Sequence, residues 1–462
     1  MARILVLGSA PLPFMNAKRL YGPGIRTWQF ASPLLERGHE VRIVAGQAPR
    51  CELEEANAGS GDRLSILCLP QADFEAVDPV RQGLEGFQPD AIVSAGYGAS
   101  NVAVRLEIGP PIWADFFGDP MAEAQALARV LQDDNMVFRV WSYVAPVLDR
   151  ADRFSVVSER QKCSLIGQLA ARGRLNMHSM GYDPVKVVPC GIASLPHGDE
   201  ESLQGRDLPE GAFLVLWSGG YNTWADVDTL FRALCLAMEQ RQEIHFVSTG
   251  GSIQGHDERT YPRFLEAISS CEMRERFHLF GWVETSEVPS FYKVCDVGIN
   301  VDRFCYEGFL GSRNRILDWM NAGLTVLTTE SCELSQILAD EDLGVVVPPG
   351  DAEALARALV SLVDDRASLK QRAERAQAFA RDRFSFETTA QPLVEWAKSP
   401  CFAEDRFCAP RLGNPWTVCA QSLRRKWTDL RWMARVDGLK AALLAAGRGL
   451  YRRVGEWRKR KG

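Results

Sequence analysis

The sequence predicts an α/β protein made of two doubly wound halves that face each other across a cleft. Three observations lead there. Apolar runs of strand length recur along the chain and alternate with segments of helical period, the pattern of parallel sheets buried on both faces. Glycine-containing turns follow the first strand-like run of each half. The chain, at 462 residues, is long for one domain, and the pattern restarts after an acidic, Gly/Pro-containing stretch at about 193–210.

Taken in order, ARILVLG (2–8) is a buried strand, followed by the loop PLPFMNAKRLYGPGIR. A helix over 25–37 carries Ile25, Trp28, Phe30, Ala31, Leu34 and Leu35 and stops at Gly38, a residue suited to ending a helix. EVRIVAG (40–46) completes a βαβ unit. Further strands are expected at 64–70, 90–96, 111–117 and 153–158, and the stretch 122–149 has helical period. In the second half FLVLWSGG (213–220) opens the pattern, with a helix from about Ala225 to Gln240. Strands are expected at 244–251, 277–283, 296–301, 324–329 and 344–349, and DAEALARALVSLVD (351–364) is an amphipathic helix.

Composition narrows the class. Hydrophobic residues make up 46% and charged residues 24%, which is ordinary for a globular protein and excludes a disordered chain. The twelve Cys form no Cys-x-x-Cys pair, so neither a zinc ribbon nor a thioredoxin-like site is expected. The N-terminus is too short in its apolar part for a secretory signal, and no apolar run reaches transmembrane length, so a reduced, cytoplasmic protein is expected. The net charge of −6 hides an asymmetry, because residues 421–462 hold thirteen Lys/Arg and three acids. That segment carries +10 and leaves −16 on the rest, a poor arrangement for general nucleic-acid binding but a suitable one for docking on an anionic membrane.

Several segments can carry chemistry. The turn after the first strand, GSAPLP, lacks G-x-G-x-x-G and argues against a dinucleotide site. YGPGIR (21–26) sets Gly22 and Gly24 before a helix, either as a plain loop or as a place where a substrate reaches the helix's positive end. Gly219 and Gly220 end a strand ahead of the next helix and could form an anion-binding nest or an ordinary turn. Asp226 and Asp228 read as helix-capping acids rather than metal ligands. His39, beside Gly38, reads as structural.

The segment EGFLGSRNRILDWMNAGLTVLTT (307–329) is the most informative. A helix from about 312 to 322 would bury Ile316, Leu317 and Met320 and end at Gly323, with Arg315 and Asp318 together on its other side. Arg313 would lie at the positive end of that helix, unfavourable unless an anion sits there. A diphosphate could be that anion, held by forked hydrogen bonds, while Glu307 and Asp318 accept from sugar and ribose hydroxyls. The alternative is an internal network of Arg–Asp and Arg–Glu ion pairs.

At this point the chain resembles the GT-B glycosyltransferases, and within them the retaining family 4. The resemblance runs from residue 3 to about 400 and is carried by GPGIR…LLERGHEV (22–41), DFFGDPMAE (115–123), ADRFSVVSERQ (151–161), VVPCGI (187–192), LWSGGYNTWADVDTL (216–230), FGWV (280–283) and the segment 307–329. It implies an N-terminal Rossmann-like, acceptor-side domain over 1–192 and a C-terminal Rossmann-like, donor domain over 193–384. A helix over 385–400 would cross back, followed by a basic amphipathic helical extension over 401–462. It also implies a co-substrate, a nucleoside-diphosphate sugar, with no metal and no separate cofactor. Glu307, Arg313, Arg315 and Asp318 would face that donor, Gly219 and Gly220 would cradle its diphosphate, and Gly22 and Gly24 would approach it from the opposite domain. Asp119 and Glu123 would line the acceptor side, with Asp119 orienting the acceptor and Arg313 and Arg315 stabilising the leaving diphosphate. The sequence departs from the family's Glu-x7-Glu pair, since Arg315 stands eight residues after Glu307, and Asn222, Trp224 and Asp226 occupy the region of its usual Arg…Lys pair.

The expected reaction is sugar transfer to a hydroxyl of a glycan or lipid-linked acceptor, with retention, in cell-surface polysaccharide or lipopolysaccharide synthesis. Nucleotide-sugar epimerisation and a catalytically inactive partner subunit are the alternatives. In the tail, Trp427, Leu430, Leu439, Leu443, Leu450 and Trp457 interleave with Lys and Arg, as in an interfacial helix on anionic lipid, placing the protein on the inner face of the plasma membrane; a helical hairpin docked on the acidic body is the other reading.

Overall fold

A computed structural model describes residues 1–15, 17–47, 61–192, 203, 206 and 208–406. The expected basic extension, from 407 onward, lies outside the described residues. In the first half, β1 (Arg3–Ala10), β2 (Glu40–Gln47), β3 (Leu64–Pro70), β4 (Ala91–Ser94), β5 (Ile112–Phe116), β6 (Arg153–Val156) and β7 (Val185–Val187) form one parallel sheet in the order β3-β2-β1-β4-β5-β6-β7. Helices α1 (Gly22–Glu36), α2 (Gln71–Ala76), α3 (Asp78–Gln82), α4 (Tyr97–Leu106), α5 (Pro120–Leu131), α6 (Asn135–Arg150) and α7 (Glu159–Ala171) cover it. Its strands are apolar on both faces because both are covered: Ile4, Val6, Val41 and Ile43 pack with Phe30 and Leu34 of α1, while Leu5, Leu7 and Ile92 pack with Val102, Val144 and Leu148. The helical stretch 122–149 is two helices, not one, because Gln132 takes a left-handed conformation at φ 56° and ends α5. The short edge strand β7 was not expected from the sequence.

In the second half, β8 (Phe213–Ser218), β9 (Ile244–Thr249), β10 (Phe277–Leu279), β11 (Val297–Asn300), β12 (Thr325–Thr329) and β13 (Val345–Val347) form a parallel sheet in the order β10-β9-β8-β11-β12-β13. Helices α8 (Val227–Gln240), α9 (Thr260–Ser269), α10 (Val288–Val294), α11 (Tyr306–Leu310), α12 (Asn314–Ala322), α13 (Glu333–Asp340), α14 (Ala352–Asp364) and α15 (Arg366–Arg383) flank it. Asp226 caps α8 by accepting from the Thr229 N–H at 3.3 Å, and Asp228 pairs with Arg263, so both acids have structural work. Gly323 ends α12 with φ 77°.

After α15 the chain returns to the first half through α16 (Phe386–Thr389) and α17 (Gln391–Lys398). The Gln29 amide donates to Thr389 Oγ1 at 2.8 Å, and Leu393, Trp396 and Ala397 join the core beneath α1. In each sheet the strand order reverses direction beside its first strand, at β1/β4 and at β8/β11. Such switch points open crevices at the carboxyl ends of strands, where ligands of α/β proteins bind. The two halves meet across those ends. The Ser158 hydroxyl donates to the Leu310 carbonyl at 2.9 Å, the Leu20 N–H donates to the Thr285 hydroxyl (3.0 Å), and the Thr285 N–H donates to the Lys18 carbonyl (2.9 Å). Among the described residues no helix is long and apolar enough to cross a membrane.

Candidate active site

The turns at the carboxyl ends of β8, β9 and β11 build one wall of the cleft. Gly219 has φ 86°, a conformation that favours glycine. Its carbonyl lies so close to Gly250, after β9, that a Cβ on Gly250 would stand 1.7 Å from the Gly219 oxygen. The Tyr221 N–H donates to the Gly251 carbonyl at 3.1 Å and locks the two glycine turns together. Gly250→Ala therefore forces the Gly219 turn out of place. We expect a loss of about 1–3 kcal/mol of stability, measured by urea unfolding, and a site that no longer responds to nucleotide.

Arg315, in the first turn of α12, reaches back to this double turn. Its Nη2 donates to the Gly220 carbonyl at 2.6 Å, and its guanidinium lies 4.4 Å over the Trp217 ring. Among the described residues its Nη1 is buried without a partner, and so are Thr223 Oγ1 and Thr249 Oγ1 on the same turns. Burial pulls the Arg315 pKa down to about 10, and Arg313 adds to the fall while Asp302 opposes it. A cation and two hydroxyls left unsatisfied beside a glycine nest fit a bound anion with several acceptor oxygens.

Arg313 has a different environment. It is the residue that caps α12, not a member of its first turn, and protein carboxylates satisfy it. Its Nε donates to Asp302 Oδ2 at 2.6 Å, its Nη2 to Glu307 Oε2 at 2.8 Å, and its Nη1 to Glu307 Oε1 and the Ser312 carbonyl at 3.1 Å each. All three charged side chains are buried. Burial alone would lower the Arg313 pKa, but Asp302 and Glu307 hold it well above its ordinary value. The anion at this helix end is thus the Asp302–Glu307 pair, and the internal-network reading describes Arg313. Asp302, just past β11, is a site residue that sequence reasoning missed. In the sequence it directly follows the expected strand 296–301, and no spacing signal ties it to an arginine eleven positions on.

The half-buried Asp318 accepts no hydrogen bond among the described residues. Burial pushes its carboxyl from the usual 3.8 up to about 7, against the pull of Arg315. A carboxyl whose folded pKa is raised binds more protons in the folded than in the unfolded chain between those values. Its contribution to stability is therefore full at low pH and is lost as pH rises through about 7. We expect Asp318→Asn to flatten the fall of melting temperature between these pH values and to melt higher than the wild type at pH above 7.

Across the cleft, Gly22 opens α1 and faces the second domain: a Cβ there would lie 3.1 Å from the Phe117 ring and 3.3 Å from Asn314 Nδ2. Gly24 does not face the cleft. Its Cβ would meet the Pro11 carbonyl oxygen at 2.0 Å, so glycine is needed there to seat α1 on its own loop. Asp119 caps α5: Oδ1 accepts from the Met121 and Ala122 N–H groups, and Oδ2 from Ser164 Oγ and Gln168 Nε2, leaving it a structural hub rather than a free acceptor-orienting group. Glu123, one turn on, does reach the cleft. It lies 3.8 Å from His256 of the opposite domain, and burial, with repulsion from Glu307, raises its pKa. Of the sequence-predicted residues, the fold thus brings Gly22, Gly219, Gly220, Glu307, Arg313, Arg315, Asp318 and Glu123 to the cleft; Asp119 caps α5 close enough to Glu307 to help raise its pKa, while Gly24 seats α1 on its own loop. His39 is buried and accepts from the Ala2 N–H at 3.2 Å, a structural role.

Residues 21–191 match the family described as glycosyl transferase 4-like domain, and residues 212–365 match glycosyl transferases group 1. The chain belongs to the GT-B glycosyltransferases of this group 1, family-4-like kind. The fold is similar to sucrose-phosphate synthase from Thermosynechococcus elongatus, at 16% identity and a TM-score of 0.66 over 86% of this chain and 98% of that one. It is also similar to HepE of Anabaena, solved in complex with UDP-glucose, at 17% identity and a TM-score of 0.59 over 86% of this chain and 100% of that one. At such identities the likeness is one of fold. No curated protein matches the chain.

Proposed function

We propose that this glycosyltransferase takes a nucleoside-diphosphate sugar as donor and transfers its sugar, with retention, to a hydroxyl of a glycan or lipid-linked acceptor in cell-surface polysaccharide or lipopolysaccharide synthesis. The observation that carries the reading is the unsatisfied Arg315 Nη1 beside the Gly219–Gly220 turn. Here a diphosphate would meet a buried cation, free hydroxyls and turn N–H groups.

As the bond between the anomeric carbon and the diphosphate oxygen breaks, negative charge grows on the leaving group. Arg315 and the turn N–H groups stabilise that charge, so we propose transfer without a metal or separate cofactor. The acceptor oxygen bonds to the same face of the anomeric carbon, and its proton passes to a leaving phosphate oxygen. Arg313 acts at one remove: it fixes Asp302 and Glu307, whose remaining lone pairs accept from sugar hydroxyls. Asp318 accepts from the ribose, Gly22 lets the first domain close on the donor, and Glu123 faces the acceptor. The basic segment 421–462 holds the enzyme on the inner face of the membrane.

Incubation with a panel of nucleotide-sugars and lipid-linked acceptors, with products read by mass, tests the reading. An acceptor heavier by one sugar supports it. An isomerised nucleotide-sugar with no acceptor product would establish the epimerase alternative. Binding of nucleotide with no turnover on any acceptor would point to the inactive partner subunit.

A further inference from the structure

Residues 174–182, between α7 and β7, form a turn-rich segment that displays apolar side chains to solvent. Leu175 is 52% exposed, Met177 83% and Met180 89%. Isolated apolar residues on a surface need no explanation, but three in six positions of one segment do.

The segment is pinned from behind. The buried Arg174 grips Asp405 through Nε (2.6 Å) and Nη2 (2.9 Å) and also donates to the Leu148 and Ala151 carbonyls. Asn176 Nδ2 donates to Asp405 at 3.3 Å, Ser179 Oγ to the Arg174 carbonyl at 2.7 Å, and the Tyr182 hydroxyl to the Asp152 carbonyl at 2.7 Å. The three apolar side chains are thus held outward by a hydrogen-bonded base.

The partner of that base is informative. Asp405 and its neighbour Arg406, which donates to both Asp152 oxygens, dock the chain beside the segment immediately before it continues into the basic residues. Phe402, 42% exposed, lies in the same docked stretch. The +10 segment 421–462 follows Arg406 in the sequence after about fifteen residues, so the chain leaves the described fold beside the apolar patch on its way to the basic residues. Stable attachment to a bilayer surface takes two signals, an apolar one and an electrostatic one. We propose that Leu175, Met177 and Met180 are the apolar insertion element by which this protein docks on an anionic lipid surface. The inference rests on the membrane reading of the basic segment and adds a folded element to it.

The test is co-sedimentation of the full chain with vesicles of phosphatidylcholine and phosphatidylglycerol, and of phosphatidylcholine alone. Met177→Asp/Met180→Asp is compared with Leu265→Asp/Val294→Asp, which adds the same charge at exposed apolar positions elsewhere on the molecule. Met177 and Met180 are almost fully exposed, whereas Leu265 and Val294 are little more than a third exposed, and circular dichroism checks that every variant keeps its fold. Loss of two inserted methionines should weaken binding to anionic vesicles about ten-fold or more, and the control pair much less. Equal weakening by both pairs would overturn the insertion element while leaving the electrostatic attachment standing. Wild type that sediments with neither vesicle would overturn both, and would favour a tail folded onto the protein's own acidic body.

Discussion

Arg315→Ala is expected to lower transfer about 100- to 1,000-fold, the size of effect seen when a preorganised donor is removed from developing negative charge. The mutation should act on turnover far more than on stability. Among the described residues Arg315 makes one hydrogen bond, to the Gly220 carbonyl, and a stacking contact with Trp217. Against these stand the cost of burying a guanidinium whose Nη1 has no partner and the pull of that burial on its pKa. The side chain is therefore positioned to meet an anion. Arg315→Lys keeps the charge and loses the fork, so it should recover part of the rate without restoring it. Steady-state transfer assays on both variants check this. Turnover that is unchanged in Arg315→Ala would remove the residue from the mechanism.

Arg313→Ala should do the opposite and act first on stability. Asp302 and Glu307 are buried, and Arg313 is the cation that serves both. Removing one partner of a buried charged pair typically costs about 3–5 kcal/mol, because the remaining charges are left without compensation. Burial already raises the Glu307 pKa against the pull of Arg313, so without the arginine this carboxyl should take up a proton and loosen the segment Asp302–Ser312 around α11. Urea unfolding of the variant should show the loss. Two arginines two positions apart in one helix start would then separate cleanly, one in the unfolding curve and the other in the rate. A variant as stable as the wild type would mean that the buried network contributes nothing net.

Much of the fold is legible in the sequence because its elements are locally consistent. The continuous apolar runs at 2–8 and 213–218 cannot sit on a half-exposed sheet, and parallel strands covered by helices follow. Gly38 and Gly323 mark helix ends through a conformation other residues avoid. What the sequence does not reveal is what two distant segments do to each other. The break at Gln132 has no Gly or Pro to announce it. Gly22 and Gly24 look alike in the first turn of α1, yet Gly22 lies against Phe117 of its own domain and Asn314 of the opposite one, and Gly24 against Pro11.

The site follows the same rule. The residue types at 307–318 allow an anion or an ion-pair network; the structure puts Arg313 in a network and leaves Arg315 Nη1 unpaired among the described residues. Spacing along one helix could not apportion them, because the choice is made by Asp302 on a neighbouring strand end and by the Gly220 carbonyl from another turn. Asp119 shows the same limit. Its position before a helix permits both a cap and an acceptor contact, and Ser164 and Gln168, contributed by α7, decide for the cap.

The central claim is that the Gly219–Gly220 turn and Arg315 hold the diphosphate of a nucleotide-sugar. The most direct measurement is the melting temperature of wild type and Arg315→Ala against a panel of nucleoside diphosphates and nucleotide-sugars, with no metal added. Ligand that binds the native state raises the melting temperature as its concentration exceeds its dissociation constant. The account predicts a concentration-dependent rise with one nucleotide in the wild type, strongly reduced in Arg315→Ala. Equal rises in both proteins, or none in either, would contradict it.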